Sequence, residues 1–534
     1  MNQLGFPLLS AIILLPFAGA LVTLLLGHNR TVIKVWALIV VLVDLALACI
    51  LLALFDYGVA EMQFVDHFAW IEPLGISYTV GVDGISLWLL LLTAFLSPIV
   101  VLVSWGYLEG RAESEARSFI FFLLVLQTGV LGVFAALDLV LFYVLWEAVL
   151  IPAYFLIGRW GGERRAYAAL KFFLYTMAGS ALMLVGIIAL AVLNFRETGL
   201  LTFDLLTLYK LPLPWLTQMG LFLAFALAFA VKAPIWPLHT WLPDAYEQSP
   251  TPVTVVLAAV LSKMAVYGLI RFCLPLFPDA VAALRPWIWL LAIVGILYGS
   301  LVALAQKDMK RLVAFSSLAH MGMIIVGVFA VNAQGVSGAL VLSVSHGLTV
   351  SALFVLVGML ERRRGTRQID AFGGLWKSIP LLGSLLLAVV MASIGLPGLS
   401  GFPGEFTLLV GVFQESIVAA AFATLGIVMA AWYMLSFYRH AFAGPLVRSE
   451  NRILPDLRRH EAVILVPLLI LILLVGIVPN LVFYATDDSV DLVLGLADER
   501  SALGADDLEQ ASWFDPEDYL SAKADHRGKL NRSP

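Results

Sequence analysis

The chain has 534 residues, 61% of them hydrophobic and 13% charged. Soluble domains carry about 25% charged residues, so the composition excludes a soluble globular protein and points to a polytopic membrane chain. Two cysteines, Cys49 and Cys273, are too few for a Cys-ligated iron–sulfur cluster or a structural zinc site, which need about four ligands. The net charge of −5 identifies no partner by itself, and no nucleic acid is expected. No glycine-rich dinucleotide fingerprint or P-loop occurs, so any redox cofactor or nucleotide is expected on another chain. No Lys or Arg precedes Arg30, so a cleaved signal peptide is not expected.

A spanning helix needs about 20 apolar residues. On that criterion the fold class is an all-α polytopic membrane protein with about fourteen transmembrane helices. The predicted spans are 4–27, 32–55, 83–106, 117–136, 138–158, 170–194, 217–246, 251–275, 286–305, 312–331, 336–360, 379–416, 419–442 and 461–484. With these spans alternating, Arg30, Arg159, Lys310, Arg363 and Arg458 fall on one side together with their basic neighbours. The positive-inside rule makes that side the cytoplasm. Acidic Asp56, Glu61, Asp66 and Glu72 fall opposite. The expected location is a bacterial plasma membrane with both termini outside.

The segment 485–534 is polar and acidic. It reads as an outside extension, with Trp513 and Phe514 as a docking point or with no function beyond solvation. The remaining organisation is helices 1–3 over 1–116, a five-helix group over 117–275, a second over 286–442, and a last helix over 461–484. The seventh span is interrupted by Pro234 and Pro237, and the twelfth by the stretch GLPGLSGFPGE. As one straight helix the twelfth would reach ~57 Å, against a hydrocarbon core of ~30 Å, so it must break. The broken span is fourth in each group. Five is an odd number, so the second group starts from the opposite side and the two form inverted repeats, a pattern that points to a transport site.

Few ionisable residues lie deep in these spans. Glu147, Lys232, Lys263, His320 and His346 fall near mid-span or at the first break, and Glu405 lies just past the second break. Lys232 stands in AFAVKAPIWPLHTWLP, where a buried charge meets a proline-broken helix. A kinked packing helix with a snorkelling lysine is the plainer reading. A single buried histidine can simply bond a neighbouring helix. Six such groups at one depth instead form a polar row. Helix axes stand about 8–10 Å apart, so ordered water would have to bridge the row. Lysine, carboxylate and histidine are the side chains that hold and relay protons. His239 and Asp244, near the cytoplasmic end of the seventh span, fit a proton inlet or a cap on the half-helix. Asp44 reads as an isolated polar contact and Asp138 as a turn residue.

The blocks LWEAVLIPAYFLIGRWGGERRAYAALKFFLYT, AFAVKAPIWPLHTWLPDA, LAAVLSKMAVYGLIRF, DMKRLVAFSSLAHMG and SGFPGEF resemble the antiporter-like subunit family of proton-pumping NADH–quinone oxidoreductase (respiratory complex I), in its chain-4 branch. The resemblance covers the third to the thirteenth span. It implies a fourteen-helix core with two inverted repeats. It also implies a Glu147–Lys232 ion pair, a relay through Lys263 and the histidines, and Glu405 as the exit group. NAD, FMN, iron–sulfur clusters and quinone are implied on partner subunits, with none on this chain. The implied partners are lipid and other membrane subunits, including further antiporter-like subunits on both flanks. Tyr246 departs from the pattern, because relatives often carry histidine after the PDA triplet.

Two other functions share this fold: a subunit of a multi-subunit cation/proton antiporter, and a subunit of a membrane-bound hydrogenase complex. Glu405, where the antiporter relatives usually carry lysine, favours the oxidoreductase over the first.

Overall fold

The computed structural model describes residues 5–26 and 29–502. Among them thirteen helices are long and apolar enough to cross a membrane. They are α1 (Leu8–Leu25), α2 (Arg30–Leu54), α3 (Gly84–Tyr107), α4 (Glu113–Val133), α5 (Leu139–Trp160), α6 (Arg165–Thr198), α7 (Trp215–Lys232), α9 (Thr251–Leu276), α10 (Pro278–Leu304), α11 (Met309–Val328), α12 (Ala333–Arg364), α15 (Ile417–Phe442) and α16 (Arg459–Ile477). Four shorter or more polar helices of eight residues or more complete the order: α8 (Trp241–Gln248), α13 (Pro380–Ser393), α14 (Gly401–Glu415) and α17 (Asn480–Ala502). The helical membrane fold read from the sequence is the fold observed, and the twelfth predicted span is the pair α13 and α14.

Polar residues set the helix starts. Asp83 accepts from the amides of Ile85 and Ser86 at the start of α3, and Asp138 accepts from Val140 and Leu141 at the start of α5. Asn332 and Ser416 do the same for α12 and α15. Each occupies donors that a helix N-terminus otherwise leaves unbonded, which matters most where water is scarce.

Burial sorts the helices. α12 is buried along its whole apolar stretch, and α9 and α11 nearly so, whereas α2 and α16 turn most of their surface outward. α12 is the hub, packed against α3, α9, α11, α13, α14, α16 and α17. A charged or polar side chain within the apolar stretch of α9, α11 or α12 therefore meets mostly protein.

Two backbone clamps recur at corresponding places. Leu139 N donates to Phe203 O and Leu205 N to Leu137 O, each at 2.9 Å. Met309 N donates to Arg367 O at 3.0 Å and Ile369 N to Lys307 O at 2.8 Å. Each clamp joins the aspartate-capped start of one helix, α5 or α11, to the loop that follows the next helix, α6 or α12. One clamp sits at the hairpin end of the bundle and the other at the basic-loop end.

Two elements differ from the sequence reading. The acidic loop before α3 folds into an antiparallel hairpin, β1 (Gln63–Ile71) and β2 (Ile76–Val82), with a left-handed turn at Gly75. A Cβ at Gly75 would meet the Leu201 carbonyl oxygen at 2.0 Å, so the turn needs glycine for conformation and for space. The polar extension read from 485 onward begins as helix α17. It lies against α3, α12, α10 and the end of α9. Its polar residues bond other protein groups: Ser489 Oγ accepts from Gly84 N (3.0 Å) and donates to Ala60 O (3.2 Å), and Ser337 Oγ donates to Asp487 (3.0 Å). A polar helix can pack this way when its partners are polar backbone ends, a possibility that hydropathy does not register. Trp513 and Phe514 lie outside the described residues.

Candidate functional site

The first break separates α7 from α8. Pro234 and Pro237 supply no amide donors there. Trp241 closes the gap from the far side, its indole N–H donating to Val231 O at 2.8 Å. Lys232, the last residue of α7, is 1% exposed. Its Nζ lies 3.6 Å from the centre of the Trp146 ring and 3.5 Å from the Trp146 carbonyl oxygen. Glu147 follows Trp146 on α5, where the helix is interrupted at Val149. Among the described residues no ion pair joins Glu147 to Lys232 within 4.0 Å, and Glu147 Oε1 is buried without a hydrogen-bond partner. The two groups are near enough to interact electrostatically. The direct pair implied by the resemblance is thus replaced here by a cation–π contact, because the adjacent aromatic face takes the ammonium.

The second cluster is on α9 and α12. Lys263 is fully buried. Its Nζ reaches His346 Nδ1 at 2.6 Å, Ala258 O at 2.8 Å and Ser262 Oγ at 3.3 Å. Three contacts match the three N–H bonds of an ammonium. α9 is not uniform around it: Leu257–Leu261 and Leu269–Cys273 are π-helical turns on either side. Such turns widen a helix and free carbonyls, and they recur at functional sites. Ala258, the carbonyl that holds Lys263, is inside the first of them. Nothing in the apolar run LAAVL announces it.

α7 and α9 touch where Gly268 meets the Phe229 ring, and a Cβ at Gly268 would lie 2.4 Å from that ring. At 1.5 Å per residue, Lys232 and Lys263 lie about 4.5 and 7.5 Å beyond that contact on the same side. The two lysines are therefore at nearly one depth.

The third cluster surrounds the second break. His320, on α11, has its ring 5.3 Å from that of His346. Its Nδ1 faces Ser316 O at 2.8 Å and its Nε2 faces Ser393 O at 3.0 Å. Ser393 ends α13, so His320 meets a carbonyl that the break leaves open. Glu405 Oε1 is 3.8 Å from His320 Nε2, and Glu405 is 4% exposed. Gly395, at φ 72°, makes room for that carboxyl: a Cβ there would sit 2.1 Å from Oε2. Tyr433 OH donates to Ser316 Oγ at 2.9 Å on the same wall.

The structure thus brings Lys263, His346, His320 and Glu405 together and sets Lys232 and Glu147 beside Trp146. It does not join His239 to Asp244. His239 packs edge-on against Tyr298 and its Nδ1 has no hydrogen-bond partner. Asp244 is held by Lys171 (2.8 Å) and Arg311 (3.7 Å). Asp44 is bonded to Gln127 at 2.6 Å, a contact between α2 and α4. A further buried pair escaped the sequence reading: Arg271 of α9 and Asp83 at the start of α3, 2.5 Å apart and each 2% exposed. Arg271 lies inside a predicted apolar span, which was the available signal.

Comparison with known proteins identifies the family. Residues 136–430 match the family described as NADH:quinone oxidoreductase/Mrp antiporter, TM, and residues 11–132 match NADH-ubiquinone oxidoreductase chain 4, amino terminus. The NADH-quinone oxidoreductase subunit M of Rhodobacter capsulatus is 44% identical over 494 residues, covering 89% of this chain and 94% of the relative. A chain of the solved respiratory complex I from Thermus thermophilus with bound NADH superposes with a TM-score of 0.82 at 32% identity, over 92% of this chain and 99% of that one. A chain of the Mrp complex from Dietzia sp. shares the fold alone, with a TM-score of 0.78 at 21% identity over 93% of this chain and 99% of that one. The chain therefore belongs to the membrane-subunit family of NADH:quinone oxidoreductase and Mrp antiporters, in its chain-4 branch.

Proposed function

We propose that this chain is the proton-translocating membrane subunit of a bacterial NADH–quinone oxidoreductase. It moves H⁺ outward across the plasma membrane while partner subunits hold NAD, FMN, the iron–sulfur clusters and quinone. The observation that carries this reading is the 2.6 Å contact between Lys263 Nζ and His346 Nδ1, fully buried on the innermost helices. A proton leaves the Lys263 ammonium along that hydrogen bond onto Nδ1, and Nε2 of the same ring gives one up on its other side. Ordered water bridges the rings. His320 passes the proton to Glu405, which releases it outside, and Lys263 is recharged from Lys232.

Glu147 gates the first step. With Lys232 on the Trp146 ring, the carboxylate and ammonium are separated. When Lys232 swings to Glu147, the pair holds the charge. Removing one partner of a buried pair costs about 3–5 kcal/mol, and moving one charge against 100 mV takes about 2.3 kcal/mol, so the pair is strong enough to gate the step. The matched clamps at Asp138 and Asp308, on opposite ends of the bundle, support the inverted five-helix repeats. The basic loops support a cytoplasmic face there, with both termini outside. Further antiporter-like subunits flank the row on both sides.

The test is proton uptake by inverted membrane vesicles carrying Lys232→Ala or Glu405→Gln, measured beside the content of assembled complex. Loss of uptake at normal content is expected. Unmodified uptake overturns the path.

A further inference from the structure

A cavity of about 870 Å³ opens at the basic-loop end of the bundle, among α2, α3, α12, α16 and the start of α9. Its lysine and arginine lining residues are Lys34, Arg111, Lys310, Arg362, Arg367 and Arg458. Four glutamates also line it, and three are already engaged. Glu461 is held by Arg363 (2.5 Å), Glu247 by Arg311 (2.7 Å), and Glu361 by Arg367 (3.7 Å) and Lys310 (3.8 Å). The fourth, Glu109, lies within electrostatic reach of Lys34, whose ammonium donates to Trp105 O at 2.9 Å. Arg362 and Arg458 form no ion pair among the described residues, and both are exposed to the cavity side of the bundle.

Two details indicate a site built for an anion. Gly106 leaves the space that the Arg362 guanidinium occupies: a Cβ there would lie 1.9 Å from Nη1. Trp105 and Trp160 line the cavity beside it, and among the described residues their buried indole N–H groups have no acceptor. The lining thus carries six lysines and arginines against four glutamates. A planar guanidinium pair suits phosphate oxygens.

The walls select the source of that phosphate. Below the basic rim the lining is apolar, with Leu102, Val103, Val355 and Met359. On either side, α2 exposes Val35 and Ile39, and α16 exposes Val463, Val466 and Ile470. These exposed apolar faces lead away from the rim. We propose that this cavity seats the phosphodiester headgroup of an anionic phospholipid, with its acyl chains against the apolar faces of α2 and α16. Basic pockets between transmembrane helices at the cytoplasmic face are recognised lipid headgroup sites. The site is separate from the proton path and does not depend on it.

The test uses the assembled complex that contains this chain, purified in detergent and titrated with phosphatidylglycerol or phosphatidylcholine, with bound lipid read by native mass spectrometry. Tighter retention of phosphatidylglycerol is expected. The Arg362→Gln/Arg458→Gln variant should weaken that retention by roughly tenfold or more. Arg362→Lys/Arg458→Lys should restore much of it, and Lys377→Gln, an exposed basic residue in the loop after α12, should leave it unchanged. Complex content on native gels reports folding in each case. Equal binding by the double glutamine variant, an equal loss in Lys377→Gln, or equal retention of phosphatidylcholine each overturns the proposal. Displacement by inorganic phosphate at equal concentration would make it a free-anion site and overturn the lipid assignment.

Discussion

The two broken helices use the same device with opposite charge. In the first, Lys232 is the final residue of α7, the helix end whose dipole favours a cation. In the second, Glu405 is near the start of α14, the end that favours an anion. What differs is how each break is closed. Trp241, which carries no exchangeable charge, takes the Val231 carbonyl at the first. His320 takes the Ser393 carbonyl at the second and stands 3.8 Å from Glu405. At the first break the group on the carbonyl carries no exchangeable proton charge, and the lysine rests on an aromatic face. The second is wired to a proton-carrying ring. The group that meets the open carbonyl thus takes part in proton transfer at the second break, whereas at the first the lysine alone does.

The comparison is broken most severely at the lysine itself. Lys232→Ala is expected to reduce redox-driven proton uptake by about tenfold or more, equivalent to about 1.4 kcal/mol on the barrier. Vesicle uptake per assembled complex measures it. Glu147→Gln should also cause a strong loss, and Glu147→Asp, which keeps the charge, a milder one. If the glutamine variant pumps at the unmodified rate, Glu147 is a packing residue and not a gate.

At the second break, Gly395→Ala forces a Cβ to within 2.1 Å of Glu405 Oε2 at a left-handed position. It should displace the carboxyl from His320 and lower uptake by a few fold. Gly220→Ala, with nothing within 4 Å of its Cβ, should have no effect under the same assay. Trp241→Phe is the smallest perturbation. It keeps one aromatic ring but removes the pyrrole portion and its donor, and leaving the buried Val231 carbonyl unbonded should cost about 1–3 kcal/mol of stability, read as a fall in the melting temperature, with pumping retained. A pumping loss as large as that of Lys232→Ala would mean that Trp241 itself takes part in proton transfer.

Much of this was legible in the sequence because it rests on local signals. Apolar runs gave the spans, prolines and glycines gave both breaks, and charges inside apolar runs gave Lys232, Lys263, His320, His346 and Glu405. Partners that come from distant parts of the chain were not legible. Trp146 lies next to Glu147, yet hydropathy gave no reason to expect its ring under Lys232. Asp83 and Arg271 are 188 residues apart, and the pairing depends on how α3 and α9 meet. The π turns around Lys263 leave no compositional mark, since Leu, Ala and Val suit either helix. α17 was hidden because its polar residues bond backbone and side chains of neighbouring elements where the sequence offers only an acidic stretch.

The buried contact between Lys263 and His346 is the centre of the account, and proton uptake by vesicles carrying Lys263→Met tests it most directly. Methionine matches the four-atom stem of lysine and removes the ammonium that reaches Ala258 O, Ser262 Oγ and His346 Nδ1. The account predicts normal content of assembled complex with proton uptake reduced to near background. Normal content with uptake at the unmodified rate would contradict it.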